Sequence, residues 1–147
     1  MTVKQISVFL ENQPGRLAEF TDRSSARKSD RHARALCLAE APDFASSRVI
    51  VDDPYEASCV LKEAGYVFSI TPVLAVAIPD EAGSLCEILH ILGEHDINID
   101  YTYAFTARKH DLAYMIVRVA DNEKKRPSRC LAATTSSPVS QEELISL

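Results

Sequence analysis

Pro79-Asp80-Glu81-Ala82-Gly83-Ser84-Leu85 stands between an unbroken apolar run, Val73-Leu74-Ala75-Val76-Ala77-Ile78, and a stretch carrying Leu85, Ile88, Leu89 and Leu92. The run is short and bounded by Pro72 and Pro79, so it reads as a buried strand. Beyond it, spacing at i, i+3, i+4 and i+7 puts one apolar face on a helix, which Gly93 is expected to stop in the left-handed conformation. The seven quoted residues are then a strand-to-helix turn. Further on, Ile97, Ile99, Tyr101, Tyr103 and Phe105 alternate at period two. A turn around Arg108 to Asp111 and a returning strand over residues 112–119 complete a β-hairpin.

The same pattern occurs earlier in the chain. A shift of 68 residues lays Val76 on Val8, Gly83 on Gly15, Leu85 on Leu17, Glu87 on Glu19, Asp111 on Asp43, Val117 on Val49, Val119 on Val51 and Asp121 on Asp53. Such self-similarity marks an internal duplication, with modules over residues 1–71 and 72–147 and Pro72 at the junction. In the first module the alternating stretch Gln5-Ile6-Ser7-Val8-Phe9-Leu10 is the opening strand. Leu36-Cys37-Leu38 and Arg48-Val49-Ile50-Val51 stand where the hairpin belongs. Asp53-Pro54-Tyr55-Glu56 then combines an N-cap, a proline at the first helical position and an early acid, which is a strong helix start. Ala57, Val60, Leu61 and Ala64 form its apolar stripe, and Gly65 ends it before a strand over residues 66–70. Strand, helix, strand, strand, helix, strand is the split βαβ order. The fold class is therefore α+β: two ferredoxin-like βαββαβ modules with antiparallel sheets and helices on one face. Open sheet edges in units this small favour side-by-side association, so a homodimer through sheet edges or helices is expected.

Composition narrows the function. The 147 residues are 46% apolar and 25% charged, the profile of a soluble globular chain. A net charge of -5 supplies no drive towards nucleic acid or anionic membrane, and neither is expected as a partner. The first residues lack the apolar core of a signal peptide, which points to the cytoplasm. Cys37, Cys59, Cys86 and Cys130 are widely spaced, without the pairing of a zinc site, and read as ordinary reduced thiols. Glu94-His95-Asp96 could suggest a metal site, yet consecutive residues rarely converge on one ion. Asp52-Asp53 could suggest paired acids, but Asp53 already serves as a helix cap. No catalytic motif or glycine-rich phosphate cradle is present, so neither catalysis nor a cofactor nor a metal is expected.

At Glu11-Asn12-Gln13-Pro14-Gly15-Arg16-Leu17, at the quoted stretch ending in Leu85, and at Gly93-Glu94-His95-Asp96-Ile97-Asn98-Ile99, the chain resembles the ACT-domain family. The resemblance covers nearly the whole chain as two tandem modules with no catalytic domain attached. It implies a regulatory protein binding an amino acid where modules meet, near the glycine after each first strand, with a metabolic enzyme as a further partner. The residues implied are Asn12, Gln13, Pro14, Gly15, Arg16 and Leu17 in the first module and Asp80, Glu81, Ala82, Gly83, Ser84, Leu85 and Asn98 in the second. The chemistry agrees. Glycine at such a turn lets backbone approach a ligand closely, and the free N–H groups of a helix start favour a carboxylate. Asn98 offers both a donor and an acceptor, where the first module has Asp30. The plainer reading makes both glycines simple turn residues, and the competing function is a ligand-free oligomerisation or docking module for an enzyme.

Two segments break the repeat. Residues 23–34 carry Arg23, Arg27, Lys28, Arg31 and Arg34 where the second module has Leu92, Ile97 and Ile99. No aromatic residue interleaves them for base stacking. Residues 125–137 contain Pro127 where the first module forms a helix. A compensated pair of frameshifts around each segment accounts for both breaks. A chain made as written is expected to pack poorly at both.

Overall fold

A computed structural model describes residues 2–25, 33–40, 44–106, 112–120, 127, 130–131 and 136–146. The chain divides into two compact units, Lys4–Thr71 and Met1–Val3 with Pro72–Leu147.

The first unit runs β1 (Val3–Glu11), α1 (Arg16–Ser25), β2 (Ala33–Glu40), β3 (Phe44–Val51), α2 (Pro54–Glu63) and the start of β4 (Val67–Pro79). Its strands lie in the order β2-β3-β1-β4. Ile6 faces Val49 and Leu10 faces Ala45 in the antiparallel β1–β3 ladder. Because paired residues share a face, Ile6, Val8, Leu10, Ala45 and Val49 make one apolar surface. It is covered by Phe20 of α1 and Leu61 of α2, with Leu17, Ala57 and Phe68 packed against the cluster. Both helices therefore lie on one side of the sheet, as the split βαβ order requires. The start of α2 follows its sequence signals: Asp53 accepts hydrogen bonds from the Tyr55 and Glu56 amides, both at 3.0 Å. Its stop is a Schellman motif. Gly65 N–H donates to Lys62 and Tyr66 N–H to Leu61, with Gly65 at φ 78°.

The second unit holds the rest of β4, α3 (Ser84–Glu94), β5 (Ile99–Thr106), β6 (Leu112–Val119) and β7 (Ser137–Val139), then a short α4 (Gln141–Ile145), and its first strand, first helix and hairpin follow the order of the first unit. Its strand order is β5-β6-β4, and β7 pairs with the other side of β4 at Ala75–Ala77. Leu74, Val76 and Ile78 face Val117, Met115 and Ala113 across the β4–β6 ladder. Together they form a core with Ile88, Leu92 and Ile97. The fold is thus the ferredoxin-like arrangement, written twice.

The structure adds four local particulars to the sequence expectation. First, β4 is one strand of 13 residues where the sequence reads two parted at Pro72. Proline suits extended backbone and lacks only a donor, and the Pro72 carbonyl accepts from Arg118 Nη1 at 2.9 Å. Second, α3 runs through Gly93, and the left-handed residue is Asp96 at φ 53°. Asp96 N–H donates to Gly93 and Ile97 N–H to Leu92, which is the same Schellman closure built on an aspartate. Third, the apolar face of α3 splits. Ile88 and Leu92 are each 1% exposed, whereas Leu85 and Leu89 are 42% and 40% exposed. Fourth, Leu131 lies within a segment expected to pack poorly but is wholly buried in the second core. Most of that segment, residues 26–32 of the first break, Asp30 and the turn at residues 107–111 lie outside the described residues.

Candidate functional site

Each module passes from its first strand to its first helix through the same turn. Arg16 N–H donates to the Gln13 carbonyl at 3.3 Å, and 68 positions later Ser84 N–H donates to Glu81 at 3.4 Å. The third residue is glycine both times, Gly15 at φ 87° and Gly83 at φ 100°. A closing bond from the fourth residue with positive φ at the third is the type II pattern, and Pro14 pre-sets the second position of the first copy. The helices then start alike: Glu19 N–H bonds to Gly15 and Glu87 N–H to Gly83. A Cβ added at either glycine would meet nothing within 4 Å. Glycine is needed here for its backbone angle, and open space lies beside both turns.

Asn12, Gln13, Pro14, Gly15 and Arg16 are exposed and Leu17 is half-buried, packed against the first core. Asp80, Glu81, Ala82 and Gly83 are exposed, Ser84 is half-buried, and Leu85 is largely exposed. Asn98 is exposed just before β5. The start of α3 has Gly83 as its cap, with no side-chain hydrogen bond to the first amides.

The two turns differ in charge. Arg16 reaches back to Glu11, Nη2 to Oε2 at 2.8 Å, and forward to Glu19, Nη1 to Oε2 at 3.1 Å. Arg23 Nη2 meets the other oxygen of Glu19 at 2.9 Å. Hydrogen bonding from Arg16, followed by the charge of Arg23, holds the Glu19 carboxyl below its ordinary value. The same bonds to Glu19 and Glu11 raise Arg16. In the second module the positions of Glu11, Arg16 and Arg23 hold Pro79, Ser84 and Ile91, so this network has no counterpart.

Beside the first turn a cleft of about 270 Å³ opens within the first unit. Glu11, Arg16, Glu19 and Arg23 line one side. Ala64, Gly65, Tyr66 and Val67, from the end of α2 and the start of β4, line the other, with Phe9 and Leu10 contributing from β1. Phe20 supports the Tyr66 ring edge-on, with centroids 5.8 Å apart. Of these lining residues only Arg16 was expected from the sequence as a site residue. Glu19 and Arg23 follow Arg16 at i+3 and i+7 on one helix face, a charge pattern that could have suggested them. Tyr66 and Val67 carried no such signal, because folding alone brings them there. Among the described residues no group of three His, Cys, Asp or Glu side chains gathers to hold a metal. Among the same residues no helix is long and apolar enough to cross a membrane.

A pair of ferredoxin-like modules with a repeated glycine turn defines a protein built from two tandem α+β domains of one kind. The chain matches the ACT domain pair over residues 1–146 and belongs to that family. Protein BT0572 from Bacteroides thetaiotaomicron is 31% identical, with a TM-score of 0.88, and the match covers 100% of this chain and 98% of that one. The regulatory subunit of aspartate kinase from Thermus thermophilus, in its ligand-free form, is 16% identical over 88% of this chain and 91% of its own, with a TM-score of 0.62. The corresponding subunit from Thermus flavus is 12% identical over 88% and 90%, with a TM-score of 0.61. These two show likeness of fold. No curated protein matches the chain.

Proposed function

We propose that the chain is a non-catalytic regulatory protein that binds an amino acid beside its strand-to-helix turns and acts by associating with itself or with a metabolic enzyme. The observation that carries this reading is the turn itself: built twice, exposed both times, with open space beside Gly15 and Gly83. Family membership and the fold of aspartate kinase regulatory subunits support it. Regulation requires the ligand to prefer one state of association over another. Exposed apolar residues on edge strand β2, Leu36 at 45% and Leu38 at 48%, favour association as the readout.

Thermal denaturation of the intact chain with each of the twenty amino acids tests the proposal. A ligand at 100 times its dissociation constant adds about 2.7 kcal/mol to stability. Absence of any response across the set overturns the reading and leaves the docking module in its place.

A further inference from the structure

The cleft of the first module carries an inference about what that module takes, resting on the amino-acid-binding reading above. At about 270 Å³ it is smaller than the ~300 Å³ at which pockets for drug-sized ligands begin. That leaves room for one small molecule rather than a drug-sized one. Its charged side holds two carboxylates, Glu11 and Glu19, and two guanidiniums, Arg16 and Arg23, which sum to zero. Its other side offers Tyr66 and Val67.

Arg16 is the centre of this arrangement. The Arg16–Glu11 pair is open to water, with side chains 45% and 56% exposed, and ion pairs in that setting are held weakly. Glu19 keeps its own contact with Arg16 through Nη1 and is itself held by Arg23. If Glu11 lets go, the guanidinium therefore stays oriented, with Nη2 free to donate to another carboxylate. A ligand carboxylate that takes this donor leaves Glu11 as an anion with a vacant acceptor nearby. The group that satisfies it is an ammonium.

We propose that the first module selects an α-amino acid with an uncharged apolar side chain, which inserts between Arg16 and Glu11. Its carboxylate is held by Arg16, its ammonium by Glu11, and its side chain lies along Tyr66 and Val67. A zwitterion replaces one ion pair by two without changing the net charge of the cleft. An acidic or basic side chain would add an unbalanced charge to a cleft whose four ionic side chains already sum to zero, with no opposite charge on Tyr66 or Val67 to pair it. The second module, with Pro79 and Ser84 in the places of Glu11 and Arg16, lacks this recognition.

Calorimetry and amide NMR on the intact chain, with leucine, aspartate and lysine in turn, test the assignment. Leucine is expected to bind most tightly and to move the amides of Arg16, Gly65, Tyr66 and Val67. Arg16→Gln and Glu11→Gln, both at exposed positions, should each weaken it about tenfold or more, the scale of a lost charge-assisted hydrogen bond. Val67→Lys, at a position 69% exposed, should turn the preference towards aspartate. Leucine binding unchanged in Arg16→Gln, with shifts confined to residues 83–87, would overturn this inference and leave amino-acid binding standing. Tighter binding of aspartate or lysine than of leucine by the unaltered chain overturns the selectivity. No binding of any amino acid overturns the functional reading along with it.

Discussion

Arg16 spans Glu11 and Glu19, donating from Nη2 to one at 2.8 Å and from Nη1 to the other at 3.1 Å, so a single guanidinium ties the end of β1 to the first turn of α1. The electrostatic consequence falls on Glu19, whose carboxyl is lowered first by the Arg16 hydrogen bond and next by Arg23. A carboxyl depressed in the folded state contributes stability above its ordinary value of 4.5, and that contribution is lost as pH falls through the lowered value. Arg16→Gln removes the larger cause. A carbon-detected NMR titration of Glu19 should therefore show its midpoint rising towards 4.5 in the variant, with Arg23 retaining part of the shift. An identical midpoint in both proteins would show that the pair does not form in solution.

Asp96 and Gly65 occupy the same place in two Schellman motifs, at φ 53° and 78°. The left-handed conformation crowds the Cβ of any residue except glycine, which makes aspartate the strained member of the pair. Asp96→Gly should raise stability by about 0.5–1 kcal/mol, and Gly65→Ala should lower it by about 1 kcal/mol. Urea denaturation midpoints measure both, and equal losses from the two changes would refute the equivalence of the motifs.

What was legible in the sequence was local. Asp53-Pro54 announced α2 because the cap and the first-turn proline act within one turn of backbone, and the bond from Tyr55 N–H is the result. The duplication was legible because Gly15 and Gly83 are needed for a backbone angle, which no other residue supplies cheaply. Where several residues can meet one requirement, local sequence does not choose among them. Gly93 looked like the helix stop, but Ile97 must reach the core, and that moved the stop to Asp96. The cleft was hidden for another reason. Its two sides, Glu11 to Arg23 and Ala64 to Val67, are joined by tertiary folding, so no short window of sequence contains both.

Ser47 stands in β3 opposite Val8 on one side and Leu38 on the other, on the face that carries the first core. It is wholly buried, and its hydroxyl has no hydrogen-bond partner among the described residues. A buried hydroxyl left unpaired costs the free energy of its lost hydration. Ser47→Ala removes the group at little loss of volume and should stabilise the protein by about 1 kcal/mol, read from the denaturation midpoint. A loss of that size would mean that the hydroxyl is bonded in solution.

Leu89 and Leu92 lie three positions apart on α3, and the sequence assigns both to the same face. The helix contains six apolar residues between Leu85 and Leu92, so periodicity alone permits more than one stripe. The structure selects Ile88 and Leu92 for the core, where Leu92 joins Leu74, Val76 and Met115, and leaves Leu89 at the surface. Leu92→Ala leaves a cavity and should cost about 2–5 kcal/mol. Leu89→Ala removes only partly covered surface and should cost about 1 kcal/mol or less. Measured on the monomeric chain, this inequality fixes the rotation of α3 about its axis. Equal costs would place both leucines in the interior and turn the helix by part of a turn from the orientation described.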